Sequence, residues 1–405
     1  MKIFRNEMTF NYATKLQYLF LDSNRMRSLV SESFKGLTQL KFLDLHNNSL
    51  ESLPLGVFDY FPDLQELNLA QNLLSSLHDD IFTQIPNLLT LLLYQNNLSE
   101  LGDYIFEAQQ RLILVDISKN SRLQMLVNNL SCQYIVASNC SLQRINIYGN
   151  VQSVDLSYNE ILELYFSQPE TLESLDLRNN SLQQIASLSR AINLRSLVLA
   201  DNAELGSLPD PWTVESLEYL DLSNTGLAEL PITSLANVGQ LRYLNISSNH
   251  ISEINPRNFQ YLEQLTHFYI HANDWNCFNL NMLMDLLISP NKMLYTRDVF
   301  DPDFPGEYIN GIACMYRLPD ADDSDAEPGD SLQQQSQNYI VLSESNDDVD
   351  ALLETKNLRK ELKAIVAFYE QKFSKAFSMI TDLKRRLDAF ETLNATMFQH
   401  ITIST

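Results

Sequence analysis

One pattern, L-x-x-L-x-L-x-x-N-x-L, occurs twelve times in this chain, and no other feature limits its possible folds as strongly. The copies begin at Leu16, Leu40, Leu64, Leu88, Leu112, Cys132, Val151, Leu172, Leu194, Leu217, Leu241 and Leu265. In the clearest of them, Leu40, Leu43, Leu45, Asn48 and Leu50 recur as Leu64, Leu67, Leu69, Asn72 and Leu74, then as Leu172, Leu175, Leu177, Asn180 and Leu182. Positions four and six lie on one side of a short strand, so both leucines point inward and their neighbours point out. An inward asparagine then turns the chain and occupies backbone groups that the turn leaves unpaired, and successive copies stack these side chains into a ladder. A single copy cannot bury its apolar face, so stability comes from stacking neighbours. The spacing predicts an α/β leucine-rich-repeat solenoid over residues 1–274, with a curved parallel sheet on its concave face.

Repeat length carries further information. Starts are 24 residues apart up to Leu112 and again from Leu217 onward, with one step of 23 from Leu194 to Leu217 and middle steps of 20, 19, 21 and 22. In the 24-residue copies a phenylalanine stands 18 positions after the start, at Phe34, Phe58, Phe82, Phe106 and Phe259, and these rings are expected to form a spine under the convex side. The middle copies drop the ring and have fewer residues to span that side, so curvature or twist is expected to change between about residues 130 and 215. At the start of the chain, Ile3 and Phe10 fall where the last leucine and the spine ring of an earlier repeat belong. A solenoid end needs a polar cap, and the expectation is that a natural N-terminal part precedes Met1.

Beyond the last copy the pattern changes. Residues 275–318 read as a C-terminal cap in which Asn279 starts a helix and Leu280, Leu283, Met284, Leu286 and Leu287 cover the exposed core, stopping before Pro290. Trp275 replaces the closing leucine of the final repeat. Residues 319–350 are an acidic linker: from 320 to 350 there are ten acidic side chains and no basic one, a composition expected to be disordered. Over 351–398, apolar or aromatic residues recur in steps of three and four at Leu358, Leu362, Ile365, Tyr369, Phe373, Phe377, Ile380, Leu383, Leu387 and Phe390. This predicts a long helix with a coiled-coil seam, stuttered between Tyr369 and Phe377, whose partner is another chain or the solenoid itself.

The four cysteines form two unlike pairs. Cys132 and Cys140 lie eight residues apart on a nearly extended path, beyond disulfide reach, and read as buried core thiols. Cys277 and Cys314 bracket the cap, where a bond would stabilise the fold by about 4 kcal/mol and would suit an oxidising compartment.

Net charge of −23 repels phosphate backbones and anionic lipid, so neither nucleic acid nor membrane insertion is expected. A glycine-rich phosphate loop, H-E-x-x-H and C-x-x-C are all absent from the sequence, so no catalytic residue, metal site or cofactor is assigned. His267 and His271 are four apart on one strand, about 13 Å, too far to share a metal. What remains is the concave sheet. Its central outward column reads Phe20, Asp44, Asn68, Leu92, Asp116, Val136, Asp155, Asp176, Val198, Asp221, Asn245 and Tyr269, mostly acidic and polar. Beside it stand Tyr18, Phe42, Tyr134, Tyr219, Tyr243 and His267. Tyr219, Tyr243, Asn245, His267, Tyr269 and His271 make the candidate protein-binding face, against the alternative that a tyrosine ladder only stabilises neighbouring strands. Sequons begin at Asn47, Asn97, Asn129, Asn139, Asn179, Asn245 and Asn394, although a repeat rich in Asn and Ser generates such triplets by chance.

The segment N-D-W-N-C at Asn273 to Cys277, the G-I-A-C at Gly311 to Cys314 and the helix that follows make this chain resemble the mosquito leucine-rich immune proteins over nearly its whole length. The resemblance implies a protein secreted into haemolymph, pairing through its C-terminal coil and holding a complement-like thioester protein. The chain departs from the family where Met315 follows Cys314 and Val299 stands near an expected cysteine, so a covalent link between subunits is not implied. A competing reading is a receptor-type ectodomain or matrix protein that binds a ligand directly on its concave face; an intracellular adaptor fits the cap cysteines and sequons less well.

Overall fold

A computed structural model of the chain describes residues 10–209, 212–230, 235–255, 262–287 and 297–316. The acidic linker, the 351–398 helix with its seam, Phe259 and Asn394 lie outside the described residues. Each of the twelve repeats contributes one strand to a single parallel sheet: Tyr18–Phe20, Phe42–Asp44, Glu66–Asn68, Thr90–Leu92, Leu114–Asp116, Cys132–Val136, Val151–Asp155, Ser174–Asp176, Ser196–Val198, Tyr219–Asp221, Tyr243–Asn245 and His267–Tyr269. Pairing is position for position, Leu43 beside Leu67 and Leu220 beside Leu244, so the inward residues stack in one file and the outward ones in another. The inward file is fully buried from Leu43 through Phe268.

The turn after each strand is built the same way twelve times. The residue before the ladder position is left-handed in every copy, with φ between 50° and 59° from Ser23 to Ala272, and most of them are neither asparagine nor aspartate. That conformation costs about 1 kcal/mol or more for a non-glycine residue. The cost is offset because the same residue's N–H reaches the next repeat, Asn47 donating to the Ala70 carbonyl at 3.0 Å and Gln71 to the Tyr94 carbonyl at 2.9 Å. It also turns the following asparagine into the core. Asn72 donates to the carbonyls of Leu45 and Leu69, both at 3.0 Å, and accepts from the Leu50 N–H at 3.0 Å. Two rungs differ. Thr225 donates its hydroxyl to the Leu222 carbonyl, and the Cys140 thiol faces the Ile117 carbonyl at 3.2 Å. Both substitutes still supply a donor, which explains why the ladder survives them.

On the convex side the phenylalanine spine forms as far as Phe106. Phe58 and Phe82 are 6.1 Å apart, Phe82 and Phe106 6.5 Å, and Phe61 packs against both Phe34 and Phe58. Phe10 stacks on Phe34 at 6.3 Å, the place of a spine ring. Beyond Phe106 the convex side becomes a second parallel sheet of three strands, Met125–Asn128, Arg144–Ile147 and Glu163–Phe166, which the pattern of leucines did not reveal. The reason is length. These strands belong to the repeats of 20, 19 and 21 residues, and extended backbone covers about 3.3 Å per residue against about 2 Å for a 3₁₀ turn. A short repeat closes its circuit only by stretching. A 3₁₀ turn, Pro169–Thr171, already follows the convex strand in the 21-residue copy, and in the 22-residue copy a 3₁₀ turn, Ala186–Leu188, takes the strand's place. Gly149 marks a tight corner, where an added Cβ would meet the Leu130 carbonyl oxygen at 2.2 Å.

The cap helix spans Cys277–Leu287, so it begins two residues before Asn279. Asn276 is the residue that caps it, its Oδ1 accepting from the Phe278 N–H at 3.0 Å, whereas Asn279 donates to Glu253 at 2.8 Å. Leu280, Leu283 and Met284 close the end of the core, and Trp275 is buried with its indole N–H on the Ile270 carbonyl at 2.8 Å. The cap ends in a hairpin, Glu307–Ile309 with Ile312–Cys314, whose two-residue turn Asn310-Gly311 has φ of 52° and 84°. Asn-Gly is the favoured sequence for such a turn, a signal the sequence carries openly. Cys277 and Cys314 are bonded, with Cα atoms 5.1 Å apart, while Cys132 and Cys140 are free and buried. Burial pushes the two free thiols up to about 12 and about 11, which keeps them protonated and unreactive.

Candidate protein-binding face

Strand register brings the tyrosines of the candidate face together. Tyr219, Tyr243 and His267 are direct neighbours across three strands, as are Asp221, Asn245 and Tyr269. The Tyr219 and Tyr243 rings stack at 4.2 Å, Tyr243 lies 5.1 Å from the Tyr269 ring and 6.0 Å from His267. Tyr269 is buried, and the rest of the group is half-buried. Stacking of this kind stabilises adjacent strands by itself. Two polar atoms exceed that purpose: the Tyr219 hydroxyl and His271 Nδ1 are buried, and neither has a hydrogen-bond partner. Burial also lowers the His271 pKa, against the opposing pull of Asp298. Asp298 was missed from the sequence. It comes from the cap and accepts from the Ala272 N–H at 2.6 Å and the Ala313 N–H at 2.7 Å, tying the last concave turn to the terminal hairpin. A second aromatic group stands at the other end of the sheet, where Phe20 and Phe42 are 4.9 Å apart and Tyr18 is 47% exposed.

The acidic column between them is not the open charged surface that its outward position suggests. Asp44, Asp176 and Asp221 are buried, and each folds back on its own turn. Asp221 accepts from the N–H and hydroxyl of Ser223 at 2.9 and 2.7 Å; Asp116 and Asp155 do the same with Ser118 and Ser157, and Asn245 with Ser247. Arg178 pairs with Asp176 at 2.7 Å. The recurring D-x-S after a strand is the spacing of a side-chain-capped turn, legible in the sequence once the turn is suspected. Asn245 is therefore committed to its turn and half-buried, while the other described sequon asparagines, Asn47, Asn97, Asn129, Asn139 and Asn179, are exposed.

Burial raises the pKa of Asp44, Asp116, Asp155 and Asp221, with Asp155 adding to the rise at Asp116 and Asp176 to that at Asp155. A carboxyl whose folded pKa lies above its unfolded value contributes stability that is complete below the unfolded value and is lost as pH rises through the folded one. Asp221→Asn keeps an acceptor for Ser223 and removes the charge. Its melting temperature is expected to exceed that of the unaltered chain at pH 7, with the difference shrinking as pH falls into the carboxylate range; thermal unfolding at pH 7 and pH 4 measures both.

Among the described residues no group of three or more His, Cys, Asp or Glu is placed to hold a metal, and no helix is long and apolar enough to cross a membrane. The family model described as leucine rich repeat matches residues 7–50, 40–98 and 215–274. Mouse lumican is 28% identical over 188 residues, which cover 41% of this chain and 53% of lumican; the chain thus spans about half the length of the curated relatives it matches. The crystal structure of the leucine-rich repeat domain of APL1B superposes with a TM-score of 0.64 at 21% identity, covering 78% of this chain and 91% of that one. The LRIM1/APL1C complex gives 0.57 at 21% identity, over 95% of this chain and 66% of that one. At these identities the likeness is one of fold. Repeat spacing, strand register and the matched family segments agree on a leucine-rich-repeat solenoid fold for this chain.

Proposed function

We propose that the chain is a secreted, non-catalytic binding scaffold of innate immunity, which engages proteins through the concave aromatic face and assembles through the 351–398 helix. The observation that carries the binding role is the Tyr219, Tyr243 and Tyr269 cluster, a concentration of stacked aromatic rings on the concave sheet. Support for export comes from the Cys277–Cys314 bond, which suits an oxidising compartment. Support for the immune setting comes from the N-D-W-N-C and G-I-A-C segments and from the fold shared with the LRIM1/APL1C complex. On this reading the chain joins a second coil-bearing chain and a complement-like thioester protein. The rival, a receptor-type or matrix protein, uses the same concave face without the helix.

Affinity capture on the tagged full chain from the native fluid, followed by mass spectrometry, tests the reading. Tyr219→Ser with Tyr243→Ser is expected to weaken capture of the concave partner by at least about tenfold, the scale of one interface hot spot. Phe377→Asp with Leu383→Asp is expected to abolish association with a second coil and leave the solenoid folded. A partner retained unchanged by both pairs of substitutions sinks the proposal, and retention after the second pair alone selects the receptor or matrix reading.

A further inference from the structure

The convex sheet of the short repeats presents a grid of outward side chains with an unusual corner. Alternation along the strands turns Met125, Val127 and Asn129 outward on the first, Arg144, Asn146 and Tyr148 on the second, and Glu163, Tyr165 and Ser167 on the third. Met125 is 54% exposed, Tyr148 48% and Tyr165 47%, all open to solvent on this convex sheet. The two tyrosine rings are 5.9 Å apart. Register places Asn128 beside Ile147, and the Tyr148 N–H donates to the Asn128 carbonyl at 2.9 Å, so Asn129 and Tyr148 are the next cross-strand pair. Residues so placed have Cβ atoms about 5 Å apart. Asn129 opens the sequon Asn129-Leu130-Ser131. It is exposed, and its side chain has no hydrogen bond among the described residues.

We infer that Asn129 carries an N-linked glycan whose first sugar ring lies on the Tyr148 and Tyr165 faces. The inference rests on the export reading, because the transfer takes place in the secretory pathway. There the Asn129 amide nitrogen attacks C1 of a lipid-pyrophosphate-linked oligosaccharide: a C1–N bond forms, the C1–O bond to the pyrophosphate breaks, and the amide proton leaves to the medium. Nothing is oxidised or reduced. The axial C–H groups of an N-acetylglucosamine ring are weakly positive and meet the negative face of an aromatic ring, the geometry that favours edge-on aromatic contacts and cations over rings. The sugar also covers apolar surface that the short repeats leave bare. A glycan at Asn245 would instead disturb a closed turn, where Oδ1 already holds the Ser247 N–H and hydroxyl. Asn47 differs again, its amide donating to Ser23 at 3.0 Å.

The test expresses the full chain in insect cells behind an unrelated secretion leader, which separates glycan placement from natural export. Glycopeptide mass spectrometry is expected to find Asn129 occupied. Trimming to a single N-acetylglucosamine is expected to leave the melting temperature unchanged, and complete enzymatic removal to lower it by about 2–4 °C. In the Tyr148→Thr, Tyr165→Thr chain, complete removal is expected to have no such effect. An unoccupied Asn129 in the secreted protein overturns the inference, and so does an equal loss with and without the tyrosines. Export itself is judged separately, by locating the endogenous chain inside or outside its cells.

Discussion

Asn120→Ala is expected to destabilise the solenoid by about 3 kcal/mol, whereas Asn24→Ala, the same position of the same repeat pattern, is expected to change stability by less than about 0.5 kcal/mol. Asn120 is fully buried. Its amide donates to the carbonyls of Leu93 at 3.1 Å and Ile117 at 2.7 Å, and its Oδ1 accepts from the Leu98 N–H at 3.1 Å. Alanine leaves these backbone groups unpaired away from water, and each orphan costs about 1–3 kcal/mol. Asn24 is exposed, and its amide donates to the Asp22 carbonyl, which water can serve after the substitution. Chemical denaturation of the two variants checks the contrast. Equal losses at both positions would mean that the ladder acts through local turn formation and not through burial.

The second large effect concerns the cap. Replacing both Cys277 and Cys314 with alanine removes a bond that closes a separation of 37 residues, and the expected loss is about 4 kcal/mol from the freedom returned to the unfolded chain. The consequence goes beyond entropy. Cys277 is the first residue of the cap helix and Cys314 the last of the terminal hairpin, so the bond holds together the two elements that cover Trp275, Leu280 and Leu283. Loosening that end is expected to raise Trp275 exposure, read as a red shift and stronger quenching of tryptophan fluorescence, before the repeats unfold. Trp212 is buried within the repeats and gives the comparison. Unchanged stability in the double variant would show that packing and the Asp298 clamp hold the cap without the bond.

The reading of the repeats transferred to the structure because its logic is local. A leucine at position four faces the core in any strand of that phase, and the inward files from Leu43 to Phe268 follow directly. The concave tyrosines were found the same way, since Tyr219 and Tyr243 hold one position in adjacent copies of equal phase. The acidic column misled for a related reason. Alternation gives the side of the sheet on which Asp221 begins, but a short carboxylate followed two residues later by Ser223 finds a nearer partner than solvent. The helix start was misplaced because Asn276 and Asn279 are equally good caps until the disulfide and Trp275 position the first turn.

From sequence alone came the number of concave strands, their register, the identity of the core and the ladder, because a repeat of fixed phase repeats its geometry. The tertiary structure alone decided the convex sheet, the partner of each concave carboxylate, the Asp298 clamp and the difference between Asn120 and Asn24. Each of these depends on what the neighbouring turn supplies: path length to be covered, a backbone N–H within reach, or the loss of water. A strand pattern records the direction of a side chain, and burial by another repeat sets the free energy of what it meets there.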